Sequence, residues 1–268
     1  MRIATSTNLI SFNADGTKTE MVHLLALYAK EGLRVLDINL CEMLNPNSAL
    51  STDDWKSYAN RLKQLSDQHR LVFNQAHAPY AKDGTILETL LIRAMDVCTY
   101  LKIPILVVHP CKGGIAQNLI MYKPFVIEAE KRGLILAFEN LNDTDEMTEI
   151  DDIIALVQGF NSPSAGICYD TGHAHMCHHD LGEDILKMGP LLVATHIADN
   201  HANADEHLLP FYGTIDWDAT LKALVQIGYR GDLTFECMFF NQYLPLELKQ
   251  QAVRQAYLVG EYLLTKVL

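Results

Sequence analysis

The chain has 268 residues, 49% hydrophobic and 20% charged, a composition that suits one globular core and lies far from a disordered one. With 21 basic against 33 acidic residues the formal net charge is −12, a field that repels phosphate polyanions and disfavours nucleic acid as a partner. No segment approaches the roughly 18 apolar residues a membrane span needs, and the opening MRIATSTNLISFNADG lacks a signal-like apolar run, so a cytoplasmic protein with no membrane partner is expected.

Short apolar runs alternate with longer amphipathic stretches, the pattern of parallel strands covered by helices. The strand candidates are 2–7 (RIATST), 35–40 (VLDINL), 71–77 (LVFNQAH), 105–110 (ILVVHP), 134–140 (LILAFEN), 165–171 (AGICYDT), 193–199 (VATHIAD) and 233–238 (LTFECM). The helix candidates between and after them are 19–32, 52–69, 85–102, 124–133, 148–159, 181–188, 217–228 and 246–268. Gly32, Gly133, Gly159 and Gly228 end four of these helices, where a left-handed cap would turn the chain back. Eight βα units without a linker predict an α/β fold, a single (β/α)8 TIM barrel forming one domain over 1–268. The cysteines Cys41, Cys98, Cys111, Cys168, Cys177 and Cys237 include no CxxC pair and read as reduced thiols.

The apolar strand runs repeatedly finish in a residue able to bind metal: His77, His109, Glu139, Asp170, His196 and Glu236 on strands three to eight. Any one of them alone is more simply explained as a solvated strand end or a hydrogen-bonded loop anchor. In a parallel barrel, however, all strand C-termini lie on one face, so the six converge on one mouth. Buried together, two glutamates and an aspartate repel and lose hydration unless a cation neutralises them. Glu139, Asp170, His196 and Glu236 are therefore the candidate metal ligands. Three carboxylates and one imidazole suit Mn, Mg or Co and tolerate Zn or Fe. His173 can fold back over the mouth, His175 has the weaker claim, and His178 and His179 read as solvated. Asp205 and His207 form an Asp-x-His pair in the long loop after strand seven, where barrels place binding groups.

These residues resemble the xylose isomerase-like barrel superfamily, in particular its sugar isomerase and epimerase branch. The likeness is carried by HAPY at His77, VVHP at His109, FEN at Glu139, YDTGH from Asp170, THIAD at His196, DEHLLPFYGTIDW from Asp205, and FEC at Glu236. The resemblance implies one divalent metal held by Glu139, Asp170, His196 and Glu236, with Glu139 and Glu236 as acid and base on opposite faces of a ketose and a cis-enediolate between them. It also implies substrate contacts from His173, with His77, His109 and His207 as further substrate-binding candidates. The superfamily also holds zinc-dependent apurinic endonucleases, and His77, His109, His173, Asp205 and His207 match their additional ligands; the acidic charge and lack of Arg-rich loops speak against that activity. The same residues would also serve a dehydratase working through the same enediolate, or a sugar-binding barrel without catalysis. Two departures bear on substrate: Asp37 stands where many relatives carry Glu, and Phe211 and Tyr212 replace the more usual Gly-Glu before Gly213. The expected partner is an unphosphorylated sugar, polyol or hydroxy-ketone. The last helix, with Leu258, Leu263 and Val267, is expected to pack on the barrel or to join a homo-oligomer.

Overall fold

The computed structural model of the chain describes residues 1–81, 84–142 and 146–267. Eight parallel strands, β1 (Ile3–Ser6), β2 (Val35–Asn39), β3 (Val72–His77), β4 (Ile105–Val108), β5 (Ile135–Glu139), β6 (Ala165–Asp170), β7 (Leu192–His196) and β8 (Leu233–Phe235), pair in sequence order, with β8 beside β1. The eight expected strands are therefore present in one (β/α)8 barrel. Its last seam, between β7 and β8, is thin: an Ile197–Phe235 bridge closes it, with Ile197 N donating to Thr234 O at 2.7 Å and Glu236 N to Ile197 O at 3.1 Å. The Thr195 hydroxyl reinforces the seam by donating to Asp232 O at 2.8 Å.

The helices among the described residues are α1 (Met21–Lys30), α2 (Trp55–His69), α3 (Glu88–Leu101), α4 (Gly114–Arg132), α5 (Ile150–Phe160), α6 (Thr171–Met176), α7 (Leu181–Met188), α8 (Trp217–Gln226) and α9 (Leu246–Val267). Their apolar faces pack on the outside of the strands in one continuous core that includes Leu25, Leu62, Met95, Ile153, Leu221 and Val253. Two local expectations need correcting. Helix α4 begins ten residues before the expected 124 and carries Pro124 in its interior, where proline normally marks a helix start. Gly159 does not cap α5: it lies inside the helix, and Asn161, in the left-handed conformation at φ 48°, forms the cap. A Cβ on Gly159 would come within 2.9 Å of the Leu119 side chain, so this glycine serves the close approach of α5 to α4.

The expectation that α9 packs on the barrel holds: it lies against β1, α1 and α8, with Leu263 buried, while Leu258 is exposed. Its Lys249 is almost fully buried and donates to Ile10 O at 3.1 Å, Asn13 Oδ1 at 2.8 Å and Phe12 O, tying the helix to the loop after β1. Replacing Lys249 by Met leaves those oxygens without their donor and should lower unfolding free energy by about 1–3 kcal/mol in urea titration; an unchanged midpoint would show that the loop does not depend on the clamp.

Candidate metal centre at the barrel mouth

Val107, Ala137, Cys168 and Ala194 form a small buried apolar cluster distinct from the main core. Side chains on a strand alternate between faces, so the residue two positions on points the same way as each of these. Those residues are His109, Glu139, Asp170 and His196, and β8 and β3 add Glu236 and His77. One ligating atom from each of Glu139, Asp170, His196 and Glu236 lies within 4.8 Å of the others, and all four residues are buried. The structure thus brings together the four residues the sequence singled out. It also groups His77 with His109 and Glu139, and His77 with His196 and Glu236, at the same separation.

Glu139 is the hub. Its Oε1 lies 2.8 Å from His196 Nδ1 and 3.7 Å from His173 Nδ1, and its Oε2 lies 3.2 Å from both His77 Nε2 and His109 Nε2. Burial opposes its ionisation, but the His196 charge and hydrogen bonds from His109, His196 and His77 hold it well below the usual carboxylate range. Asp170 behaves oppositely. Burial, aided by the nearby Glu139 and Glu236 charges and opposed by His173 and His196, pushes it up to about 6. Its Oδ1 accepts from the His173 amide at 2.8 Å and caps α6, whereas the buried Oδ2 has no hydrogen-bond partner among the described residues. An orphaned carboxylate oxygen inside a cluster of three acids and an imidazole is the arrangement a divalent cation would satisfy, so the donor set fits one.

His196 is fully buried between carboxylates, with Nδ1 2.8 Å from Glu139 Oε1 and 3.5 Å from Glu236 Oε2, and Nε2 3.2 Å from Asp37 Oδ2. Asp37 also accepts from Gln75 Nε2 at 3.4 Å; Gln75 Oε1 accepts from the Thr234 hydroxyl at 3.2 Å, which extends a polar chain down the barrel interior. Asp37 was legible only as a departure from a family pattern, not as a site residue. The available signal was an acid at an inward position of an apolar strand.

The loop after β7 supplies Asp205 and His207. Asp205 Oδ2 lies 3.1 Å from His207 Nε2 and 3.5 Å from His173 Nε2; hydrogen bonds from both overcome burial and keep this carboxyl far below its ordinary value. His207, buried but paired with Asp205, is raised to about 9, and its Nδ1 lies 2.9 Å from the Glu236 carbonyl. Asp199 organises the loop: it accepts from the amides of Asn200 (2.9 Å), Phe211 (2.9 Å) and Ile215 (3.2 Å) and from Trp217 Nε1 (2.9 Å). A Cβ on Gly213 would sit 2.3 Å from Asp199 Oδ1, so this turn admits only glycine. His175 lies aside, 2.9 Å from Thr214 Oγ1, and His178 is exposed. His179 is not simply solvated, since its Nδ1 pairs with Asp184 at 2.9 Å.

A cavity of about 320 Å³ lies over the cluster. Its walls include His77, His109, His173, Asp205, His207 and both glutamates, and also Asn8, Phe12, Lys18, Asn39, Cys41, Tyr80 and Phe239. Tyr80 stacks on His109 with ring centroids 4.1 Å apart, and Cys41 Sγ lies 3.5 Å from His77 Nδ1. From the sequence none of these further wall residues had a role in the site; they come mostly from loops that carry no strand-end signature.

Residues 25–253 match a family model described as xylose isomerase-like TIM barrel. An uncharacterized protein of Sinorhizobium fredii is 27% identical over 222 residues, 78% of this chain and 68% of that protein. A ketose 3-epimerase of Arthrobacter globiformis is 30% identical over 128 residues, 46% of this chain and 42% of the relative. A solved D-psicose 3-epimerase with D-fructose superposes with a TM-score of 0.81 at 14% identity, covering 98% of this chain and 99% of its own.

Asp199→Ala strips four buried donors of one acceptor and should cost on the order of 3 kcal/mol, with Trp217 fluorescence changing as the loop loosens. Wild-type stability in that variant would mean that the loop is held by its backbone pairs alone.

Proposed function

The chain belongs to the xylose isomerase-like TIM barrel family, and from the chemistry of its mouth we propose that it is a divalent-metal-dependent sugar isomerase or epimerase. The convergence of Glu139, Asp170, His196 and Glu236 within 4.8 Å carries this reading. Held by these four side chains, a divalent cation such as Mn, Co, Mg or Zn supplies Lewis-acid stabilisation for negative charge building on a carbonyl and its neighbouring hydroxyl. Glu139 and Glu236 both border the cavity and divide the proton work. One carboxylate accepts the proton from the carbon next to the carbonyl, and the C–H electron pair passes into a cis-enediolate. The other, as its acid form, returns a proton to the opposite face or to the adjacent carbon. His173, His77, His109 and His207 hydrogen-bond the substrate's oxygens. Phe12, Met238 and Phe239 add apolar surface to the cavity wall.

The ketose 3-epimerase relative and the D-psicose 3-epimerase fold support a ketose substrate. Among the described residues that line the cavity Lys18 is the one Lys or Arg, which favours an unphosphorylated sugar or polyol. The free cysteines suit a reducing compartment, and the cytoplasm is the proposed place of work. Among the described residues no helix is long and apolar enough to cross a membrane. One observation favours a second reading. The Nε2 atoms of His77 and His109 both lie 3.2 Å from Glu139 Oε2, and His173, Asp205 and His207 form another contiguous set, so a polynuclear zinc centre for phosphodiester hydrolysis has its donors.

Elemental analysis separates the two readings. About one Mn, Co or similar ion per chain, lost in a Glu139→Gln, Glu236→Gln double variant, supports the isomerase; two or three zinc ions favour hydrolysis, and no metal in either protein sinks both. With ketoses in D₂O, either single Gln variant should slow proton exchange about 10²–10⁴-fold. Asp37→Asn, which changes the partner of His196 Nε2, should weaken metal affinity about 10–100-fold in chelator competition; unchanged affinity would remove Asp37 from any positioning role.

A further inference from the structure

A second cavity adjoins the one over the carboxylates. It measures about 600 Å³ against about 320 Å³ for the inner one, and Asn8, Lys18, Asn39 and Cys41 line both. Ligand cavities span about 300–1,000 Å³, so the inner space alone is at the small end and the outer one has room for a further unit of a ligand. The loop after β1 and the stretch from β2 through the 3-10 turns Leu40–Leu44 and Ala49–Ser51 build the outer walls.

The chemistry of those walls is neutral and polar. Asn8 and Asn39 are 7% and 8% exposed; their side-chain oxygens accept from Ser11 Oγ at 3.4 Å and Cys41 N at 2.9 Å. Asn45, Asn47 and Ser48 add further amides and a hydroxyl. Tyr58 adds its ring to the same wall, with its hydroxyl beside the Val22 backbone. The charged lining among the described residues is Lys18 with Glu20 and Glu42, so there is no excess of basic groups to hold a phosphate. Burial, opposed by a hydrogen bond from Ser48, pushes Glu42 up to about 7, so near neutral pH this group also serves as a hydroxyl-type donor.

We infer that the substrate is a glycosylated keto-sugar: the reacting ketose unit lies over Glu139 and Glu236, and a neutral glycosyl unit attached to it fills the cavity between the loops after β1 and β2. The inference rests on the isomerase or epimerase reading and names its substrate class. Binding of the remote unit is then available to lower the barrier at the reacting carbon.

The test compares D-fructose with isomaltulose, whose glucosyl unit sits on O6 and cannot leave by elimination when C3 is deprotonated. Deuterium incorporation at C3 should proceed with kcat/KM at least about tenfold higher for isomaltulose. Ala49→Trp, at an exposed position of the outer wall, should abolish that preference and leave fructose exchange unchanged, which also certifies the fold. Equal rates for the two sugars, a preference that survives Ala49→Trp, or a preference for D-fructose 6-phosphate over isomaltulose would overturn the inference. If neither sugar exchanges, the isomerase reading fails separately, and NMR saturation transfer decides on the cavity. Saturation reaching the glucosyl protons in the wild type and lost in Ala49→Trp upholds the assignment; none in the wild type refutes it.

Discussion

Five carboxylates, from Asp37, Glu139, Asp170, Asp205 and Glu236, crowd the end of a barrel above a small apolar cluster of Val107, Ala137, Cys168 and Ala194. Such a gathering persists only if positive charge comes with it. In the structure imidazoles provide it: His173 and His207 face carboxylates that raise their proton affinity despite burial, and His77 and His196, also against burial, are raised by Cys41 and Cys168 respectively and then by the neighbouring carboxylates. His109 is the exception, its proton affinity lowered by burial more than Glu139 restores it. Protons on these rings therefore do part of the work a cation would do, and metal loading at this mouth should release protons as it proceeds.

The architecture follows from that requirement. Strand ends must face one way to converge the acids, which the parallel closed barrel ensures. The apolar cluster beneath sets a floor, and the Thr234–Gln75–Asp37–His196 chain carries polarity through it without leaving Gln75 or His196 unpaired. Above, Asp199 fixes the loop that delivers Asp205 and His207.

The parts legible in the sequence were those with period or repetition. Eight apolar runs, the last six ending in ligating residues, reported both the barrel and the four candidate ligands, because strand alternation leaves little freedom once the interior side is known. Gly159 misled because glycine serves two ends, turning a chain and letting helices touch, and only the neighbour Leu119 distinguishes them. Pro124 misled because its breaking tendency can be overridden within a long packed helix. Asp37 was visible as an oddity but had no partner in sequence, since His196 is 159 positions away. The outer walls of the cleft, from Asn8 to Tyr58, lie in loops and turns whose amides and hydroxyls look like ordinary surface until the fold sets them around one space.

The seam between β7 and β8 gives the ligand set a mechanical meaning. These two strands hold each other through few backbone bonds, yet His196 ends one and Glu236 follows the other, with 3.5 Å between their polar atoms. An ion gripped by both would act as a rivet across the joint where the hoop is thinnest. Occupancy and closure would then be a single equilibrium, and the same atoms that prepare the chemistry would also decide how long the barrel stays shut.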